Sequence, residues 1–341
     1  MKNLPKIDID CSELYANLYT PIQSKLLLAG IEIKVFNELS APSPAETIAR
    51  SIGAHPGNTE LFLDALAACD FLEKKNNLYW NAPVAQAFLV EGSPTYLGAL
   101  LASSSQMMQS RLDDVPALVR KGPLPPSKDA DMGSENVWTQ LAGLIANYER
   151  AGVAQQVVEV ISALPEFPFF GKMLDLGGGP GIYGIAIVSA HHNMKGVIFD
   201  QPAVVKVAKN FIKEYRLEDR MDVLGGDYFH DSIGDGYDLI FACATLNFYK
   251  DDMDSLMLKI YSVLNSGGVL VSFQDGLTHE RTKPREMVLH LISSALTGQD
   301  MRFDQGFIAD SMLRAGFQSV RSRTMDTPAG PMDLDIGRKA K

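Results

Sequence analysis

Three closely spaced glycines, Gly177, Gly179 and Gly181, form a pattern that could bind a nucleotide. Their segment, MLDLGGGPGIYG (residues 173–184), follows an apolar run typical of a strand and leads into an apolar helix. Because glycine has no Cβ, the backbone can turn tightly there and approach a ligand closely. Such a loop alone could also serve a dinucleotide, with its pyrophosphate at the N-terminus of the helix.

Three aspartates near the predicted strand ends favour one type of nucleotide. Asp175 precedes the first loop glycine by two residues, where a carboxylate suits a cationic amino-acid group better than a pyrophosphate. Asp200 lies about 20 residues beyond the loop, where a carboxylate can accept both ribose hydroxyls. Asp227 is placed to accept the adenine amino group, with Tyr228 and Phe229 as apolar walls.

Asp200 or Asp227 taken alone could simply cap the helix that follows it. Taken together with the glycine loop, they predict S-adenosylmethionine rather than NAD as the cofactor. The expected product of that cofactor is S-adenosylhomocysteine.

The elements that must position these residues alternate between strand and helix. Strands are predicted at residues 172–176, 196–199, 221–224, 237–242, 269–274 and 319–324. Helices are predicted at residues 135–164, 183–189, 203–214, 253–263 and 307–315. This alternation indicates an α/β fold with a Rossmann-like, parallel, doubly wound sheet that binds ligands at the carboxyl ends of its strands.

The first third of the chain is predicted to be helical, with one hairpin. The helices fall within residues 14–39, 43–52 and 60–72, and Thr59 is the expected cap of the last one. Residues 73–80 form a hairpin that turns at Asn76-Asn77, so the whole suggests a winged helix. The helix that would face DNA carries acidic side chains and no Lys or Arg, which phosphates would repel. A packing or dimerisation role is therefore expected.

The composition excludes several classes of protein. The chain has 341 residues and a formal net charge of −10, which argues against a polyanionic partner such as nucleic acid. Its three cysteines are scattered, with neither disulfide nor zinc spacing, so no metal site is expected. No apolar run is long enough for a bilayer, and the N-terminus does not look like a signal peptide, so a cytoplasmic location without membrane contact is expected.

Several motifs occur in an order that resembles a known family. They are DLGGGPG, FDQPAVV, GGDYF, DLIFACATLNFYKDD and SGGVLVSFQD. This series is similar to the class I small-molecule O-methyltransferases, which include caffeate, hydroxyindole and bacterial polyketide enzymes. LLLAGIEIKVFNEL and FLEKKNNLYWNAPVAQAFL resemble the dimerisation domain of that family. The resemblance implies a homodimer that methylates a small aromatic or conjugated molecule, most often at oxygen.

With the family as a guide, the cofactor-binding residues can be named. We expect them to be Asp175, Gly177, Gly179, Gly181, Asp200, Gln201, Asp227, Tyr228, Phe229 and Cys243. The expected domains are a winged-helix-like dimerisation domain (1–121), a linker and helix covering the active site (122–170), and the S-adenosylmethionine-binding domain (171–341).

The sequence departs from the family where the catalytic base should stand. Relatives carry a histidine after the fourth strand that removes the proton from a phenolic hydroxyl, but here Asn247 holds that position. An amide has no useful basicity for this work. Cys243 likewise replaces a lysine that relatives often carry near the adenine. The Asn-x-x-Met pattern before the catalytic domain is only partly present, as residues 147–150.

Three explanations stay open at this point. Another residue could be the base, the candidates being His290, His279, Tyr249 and Asp275. Alternatively, the acceptor needs no base, as an ionised oxygen, a thiolate, an amine or an electron-rich carbon would not. The chain could also bind the cofactor without catalysis. We take His290, Asn247 and Tyr249 as the candidate catalytic residues, although a histidine on an apolar helix is often only packed or solvated.

Two apolar stretches could line the pocket for the methyl acceptor. These are Met107-Met108 and residues 167–170. Binding pockets are mostly apolar with few polar anchors, but residues of these types more often belong to the core.

Overall fold

The computed structural model describes residue 4, residues 6–123 and residues 135–341, and it divides into two compact units. The first unit is Met1–Ser104 and the second is Ser105–Lys341. The division therefore lies earlier than the domain boundary predicted after residue 121. The second unit also takes in the predicted linker region, because Val157 and Ile161 pack in its core. Residues 124–134 of that predicted linker lie outside the described residues.

The first unit combines helices with a small antiparallel sheet of order β1-β3-β2. Its helices are α1 (Ser12–Glu32), α2 (Ala45–Ser51), α3 (Pro56–Ala68), α4 (Pro83–Phe88) and the start of α5 (Gly98–Arg111). Its strands are β1 (Ser43–Pro44), β2 (Leu72–Lys75) and β3 (Leu78–Asn81). The predicted hairpin is confirmed, since Asn76 and Asn77 lie at its turn with positive φ.

Helix α3 begins and ends earlier than predicted. Pro56 occupies its first turn, and the Nδ1 atom of His55 accepts the N–H of Asn58 at 3.2 Å, so His55 rather than Thr59 is the N-cap. Proline suits this position because its missing N–H would have no partner in the helix. The helix ends before Asp70, which has a φ of 61°.

Helix α1 carries large apolar side chains on an exposed surface. Leu14, Leu18, Tyr19 and Ile22 each retain more than half of their accessible surface. The core of this unit is formed instead by fully buried residues such as Phe36, Leu63 and Tyr79. Buried residues of α1, Gly30 and Ile31, are therefore found only near its C-terminal end.

The second unit consists of a seven-stranded sheet with helices on both of its faces. Its helices are α6 (Val115–Lys121), α7 (Glu135–Tyr148), α8 (Ala154–Ser162), α9 (Ile182–Ser189), α10 (Val204–Glu214), α11 (Met253–Val263), α12 (Arg285–Leu296) and α13 (Phe307–Ala315). Its strands are β4 (Lys172–Leu176), β5 (Lys195–Asp200), β6 (Met221–Gly225), β7 (Tyr237–Cys243), β8 (Leu264–Gln274), β9 (Ser319–Met325) and β10 (Met332–Arg338).

The sheet has the order β6-β5-β4-β7-β8-β10-β9. Strands β4 to β8 are parallel, as the strand-helix alternation predicts, but β10 is antiparallel to both neighbours. The expectation of a purely parallel sheet was therefore wrong at this edge. The strand order reverses between β4 and β7, which creates the crevice where ligands bind in sheets of this kind.

The long helix predicted over residues 135–164 is broken. A wider turn, Glu149–Val153, separates α7 from α8, and Ala151 and Gly152 have non-helical backbone angles there. Gly152 has a φ of 121°, a value that favours glycine. The break leaves Glu149 buried, with 5% of its surface exposed.

Within the described parts of the chain, no helix is both long and apolar enough to cross a membrane.

Candidate functional site

The glycine loop joins β4 to α9 at the carboxyl edge of the sheet. Gly177, Gly179 and Gly181 have φ angles of 65°, 54° and 78°, which side chains rarely tolerate. At Gly177 a Cβ would lie 2.1 Å from the Oγ1 atom of Thr245, whereas at Gly179 it would meet nothing within 4 Å. The loop is therefore packed tightly on one side and open at Gly179.

Asp200 ends β5 beside this loop. One carboxylate oxygen accepts the N–H of Gly179 at 2.8 Å, and the other accepts the N–H of Gln201 at 2.7 Å. Each carboxylate oxygen has a second lone pair. Burial raises the pKa of Asp200 in spite of these two donors. The side chain is fixed in place and still able to accept hydrogen bonds from a ligand.

Asp227 follows β6 and is held by aromatic neighbours. Its Oδ1 atom accepts the Tyr249 hydroxyl at 2.5 Å and the N–H of Phe229 at 2.9 Å. Burial alone would raise the pKa of Asp227, but these donors and nearby His230 outweigh it and lower the pKa. The Tyr249 ring stacks on Phe229 with centroids 4.7 Å apart. Burial, and after it the bond to Asp227, raises the pKa of Tyr249, so this hydroxyl keeps its proton.

A second group of acidic side chains lies deeper, between β4, α9 and the broken helix. Asp175 is 1% exposed and accepts the N–H of Gly184 at 3.0 Å. Burial raises its pKa to about 7. Burial also raises the pKa of Glu149 well above its usual range, and the charge of Asp175 adds to this. Cys243, at the end of β7, contacts Tyr183 in this group, and burial raises the pKa of its thiol.

A cavity of about 790 Å³ opens at the carboxyl ends of the strands. The lining residues that the structure describes include four carboxylates, of which Asp300 is paired with Arg302, and one cation, Lys250, so this lining is electronegative. The lining residues are Trp138, Gly177, Asp200, Gln201, Gly226, Asp227, Tyr228, Ala244, Thr245, Asn247, Phe248, Tyr249, Lys250, Asp251, Gly298, Gln299, Asp300 and Met301. Within residues 6–123 and 135–341, no cluster of His, Cys, Asp and Glu side chains could hold a metal ion.

The structure brings some predicted site residues to this cavity and leaves others behind its wall. Gly177, Asp200, Gln201, Asp227, Tyr228, Asn247 and Tyr249 line it. Asp175, Gly179, Gly181, Phe229, Cys243 and His290 are not among the described lining residues. Gly181 packs on Ile198, where a Cβ would lie 2.3 Å from Cδ1, and Phe229 supports Tyr249 from behind.

Asn247 and the two histidines considered as bases lie in different environments. Asn247 is 8% exposed on the turn after β7, and its Oδ1 atom has no hydrogen-bond partner among the described residues. His290 is exposed on α12, near enough to Asp275 to lower the pKa of that buried carboxyl, although burial raises it overall. His279 is exposed in a loop, where its Nδ1 lies 3.0 Å from Thr278 Oγ1.

The apolar stretches suggested as acceptor-pocket lining are not found at the cavity. Phe167 and Phe170 are buried in the core of the second unit, and Phe167 contacts His191 at the opposite edge of the sheet. Met107 and Met108 are half-buried on α5 and are not among the described lining residues.

Sequence reasoning missed Trp138, Glu149, Thr245 and Asp300. Trp138 reaches the cavity from α7 and contacts Phe248 with ring centroids 5.7 Å apart. Asp300 pairs with Arg302 at 2.7 Å, and that bond lowers its pKa to about 2. A single tryptophan inside a predicted helix was the only available signal, since the Asp300 segment has no regular periodicity.

Comparison with known proteins places this architecture in a family. A family model of the O-methyltransferase domain matches residues 144–318, and a model of the O-methyltransferase dimerisation domain matches residues 18–91. The chain belongs to the O-methyltransferase family. It is thus a methyltransferase that uses S-adenosylmethionine and acts on small molecules.

Individual relatives agree with this assignment over most of the chain. N,N-dimethyltransferase OxyT of Streptomyces rimosus is 28% identical over 82% of this methyltransferase and 82% of its own length. Tetracenomycin polyketide synthesis 8-O-methyl transferase TcmO of Streptomyces glaucescens is 24% identical over 93% and 94%. The crystal structure of human N-acetylserotonin methyltransferase, in complex with S-adenosylmethionine, has a TM-score of 0.79 at 22% identity and covers 99% of this chain and 100% of its own.

Proposed function

We propose that the enzyme transfers a methyl group from S-adenosylmethionine to a small aromatic or conjugated acceptor in the cavity beside Asn247. Oxygen is the acceptor atom that we favour. The observation that carries the proposal is the alignment of Asp227, Asp200 and Gly177 along the ends of three neighbouring strands, β6, β5 and β4. They lie at the switch point of strand order, where ligands bind in such sheets.

The residues of this edge fit the chemical parts of the cofactor. The carboxylate of Asp200 suits a ribose with two hydroxyl donors, and Asp227 suits an exocyclic amino group beside aromatic rings. The open space at Gly179 permits close approach of the ligand to the backbone. When bound, S-adenosylmethionine supplies an electrophilic methyl group on a positively charged sulfur. An electronegative cavity stabilises that charge.

We propose that Asn247 positions the acceptor and does not remove its proton. The side chain is buried in the cavity wall, with an oxygen that lacks a partner. A carboxamide can accept or donate a hydrogen bond but cannot act as a base. Methyl transfer gains much of its rate from holding donor and acceptor in line, so a positioning residue is sufficient for activity.

His290 is the remaining candidate for general-base work. Its place on α12, outside the described cavity lining, does not favour direct contact with an acceptor beside Asn247. His290→Ala is therefore expected to keep most of the activity.

An amine is the second candidate acceptor. A neutral amine attacks through its own lone pair and loses its proton afterwards, so it needs no base at position 247. The four carboxylates of the cavity favour the cationic product of that attack. The relative OxyT, by its name an N,N-dimethyltransferase, is consistent with this alternative.

We also propose that the enzyme is an obligate homodimer through its first unit. The match to a dimerisation domain and the exposed apolar side chains of α1 support this, since contiguous apolar surface is rarely left in water. Sedimentation at micromolar concentration should show a dimer, and a stable monomer would contradict the proposal.

The test of the methyl acceptor is a screen for formation of S-adenosylhomocysteine. The enzyme is incubated with S-adenosylmethionine and a library of phenols, thiols and amines, and reactions without enzyme and without acceptor serve as the controls. Turnover with phenols supports the O-methyltransferase proposal, and turnover with amines only supports the second candidate. Cofactor binding without turnover of any phenol, thiol or amine would contradict the proposed acceptor classes.

A further inference from the structure

Glu149 is a buried acid that the cofactor contacts described above do not use. It lies in the break between α7 and α8, with 5% of its surface exposed. Its Oε2 atom is fully buried and has no hydrogen-bond partner in the described structure. A buried carboxyl oxygen without a partner costs free energy, so its retention needs a reason.

The nearest cation in the sequence does not neutralise Glu149. Arg150 forms an ion pair with Glu214 at 2.8 Å, and its guanidinium packs over the rings of Phe211 and Tyr215. The ionisable neighbours of Glu149 are Asp175 on β4, Cys243 on β7, Tyr183 on α9 and Tyr148 at the end of α7. None of these four groups can carry a positive charge. Apart from Arg150, the ionisable surroundings of the Glu149 carboxyl are therefore neutral or negative.

The first turn of α9 is occupied by the protein's own carboxyls. The N–H of Ile182 stabilises the charged form of Glu149, and the N–H of Gly184 donates to Asp175 at 3.0 Å. In a dinucleotide-binding site, N–H groups of this turn would face the pyrophosphate. Here a phosphate would meet two carboxyls, which repel it.

The strand order shows which part of the cofactor reaches Glu149. Along the sheet edge, Asp227 follows β6, Asp200 ends β5, Gly177 follows β4, and Cys243 ends β7. With the adenosine part at Asp227 and Asp200, the rest of the molecule must cross Gly177 toward β7. Asp175, two residues before Gly177, and Cys243 lie behind this part of the edge, outside the described cavity lining. Glu149 also lies outside that lining, and Asp175 and Cys243 are its electrostatic neighbours.

We propose that Glu149 binds the α-ammonium group of the cofactor's amino-acid moiety and that Asp175 supports it from behind. The inference rests on the proposed cofactor site. It adds a recognition residue for the cationic end and predicts that dinucleotides are rejected. The alternative is that Glu149 only caps α9 and has no contact with the cofactor.

The experiment combines a change in the protein with a change in the ligand. Calorimetry measures the affinity of wild type and Glu149→Gln for S-adenosylhomocysteine and for its desamino analogue, in which hydrogen replaces the ammonium group. Glu159→Gln, an exposed position on α8, is the matched control. Thermal unfolding verifies that each variant is folded.

We expect wild type to bind S-adenosylhomocysteine at least tenfold more tightly than the desamino analogue. Glu149→Gln should bind both with affinities within about threefold, and Glu159→Gln should behave like wild type, because only a charge-assisted bond is removed. Equal weakening of both ligands by Glu149→Gln would show a purely structural role and overturn the proposal, as would no weakening.

Two further results separate this inference from the cofactor proposal. If wild type binds neither ligand, the cofactor proposal itself fails, and this inference fails with it. If Glu149→Gln does not fold, the wild-type comparison decides: equal affinity for the two ligands shows that the ammonium group is not recognised.

Discussion

The carboxylates at the two ends of the candidate cofactor site have pKa shifts in opposite directions. At the adenosine end, the Asp227 side chain is 40% exposed, and hydrogen bonds from Tyr249 and Phe229 overcome partial burial and keep its pKa low. At the other end, Glu149 and Asp175 are almost wholly buried, and burial raises the pKa of both. The carboxylate at the first end is ionised and already accepts hydrogen bonds from the protein. The carboxyls at the second end lack a positively charged partner.

This difference indicates which ligand groups each end prefers. An ionised, well-solvated carboxylate such as Asp227 accepts hydrogen bonds from neutral donors with little change in protonation. A buried carboxyl with a raised pKa gains most from a cation, because the cation favours the charged form that burial disfavours. One molecule with a neutral nucleoside end and a cationic end satisfies both, and S-adenosylmethionine has this construction.

The largest effect is expected from Asp200, which lies between the two ends. Asp200→Ala removes the acceptor for ribose and also the partner of the Gly179 and Gln201 N–H groups. We expect S-adenosylhomocysteine binding to weaken by about 1.5–3 kcal/mol, or roughly 10- to 150-fold, in calorimetry. Asp222→Ala, an exposed aspartate on β6, is the control. Unchanged affinity in Asp200→Ala would remove Asp200 from the site.

A smaller effect is expected from pH, and it has opposite signs for stability and for binding. Asp175 has a pKa of about 7 in the folded protein, so the stability linked to its protonated form is present below the unfolded pKa of about 4 and is lost as pH rises through about 7. The free energy of unfolding without ligand should therefore fall over this range.

Cofactor affinity should rise over the same pH range, by up to about tenfold per unit, because the ionised carboxyl attracts the ammonium group. Thermal unfolding and calorimetry at several pH values measure the two trends. Asp175→Asn should reduce the pH dependence of both, and the dependence that remains is assigned to Glu149, whose pKa burial also raises. An affinity that does not depend on pH between about 5.5 and 7.5 would contradict the assignment of cationic recognition to this end.

The smallest effect is expected from Asn247, which we propose stands in place of the family's histidine. Asn247→Ala should lower kcat about tenfold or less, because loss of a true general base costs about 100- to 10,000-fold. His290→Ala should stay within the smaller range, since His290 is exposed and outside the described cavity lining. The rate should then follow the ionisation of the acceptor itself.

The opposite result for His290 is equally clear. A loss of 100-fold or more in His290→Ala, with the disappearance of an ionisation near pH 6.5 from the rate profile, would identify that residue as the base.

The sequence predicts the parallel part of the sheet because each of those strands contains a short, mainly apolar run and helical segments alternate with these runs. Strand β10 was missed because Asp333 and Asp335 interrupt its apolar residues. In the fold both are buried, and hydroxyls of Thr324 and Ser322 on β9 donate to them. A cross-strand partner of this kind becomes known only when the pairing of β9 with β10 is known.

The residues of the candidate site also fall into two groups, those that a local sequence pattern predicts and those that it does not. Asp200 and Asp227 follow directly from strand ends and a glycine loop, so a linear pattern is sufficient to propose them. Glu149 depends on a break in a helix whose periodicity looks continuous, and Gly152 within the break gives only a weak signal. Asp300 and Trp138 reach the cavity from segments distant in sequence, which local patterns do not bring together.

The most direct test of the account is calorimetry of the wild-type protein with S-adenosylhomocysteine and, separately, with NAD. The acids at both ends of the site predict saturable binding of S-adenosylhomocysteine and no heat of binding with NAD, whose pyrophosphate would face Glu149 and Asp175. Binding of NAD with no response to S-adenosylhomocysteine would contradict the central claim that these carboxylates form a site for a cationic nucleoside cofactor.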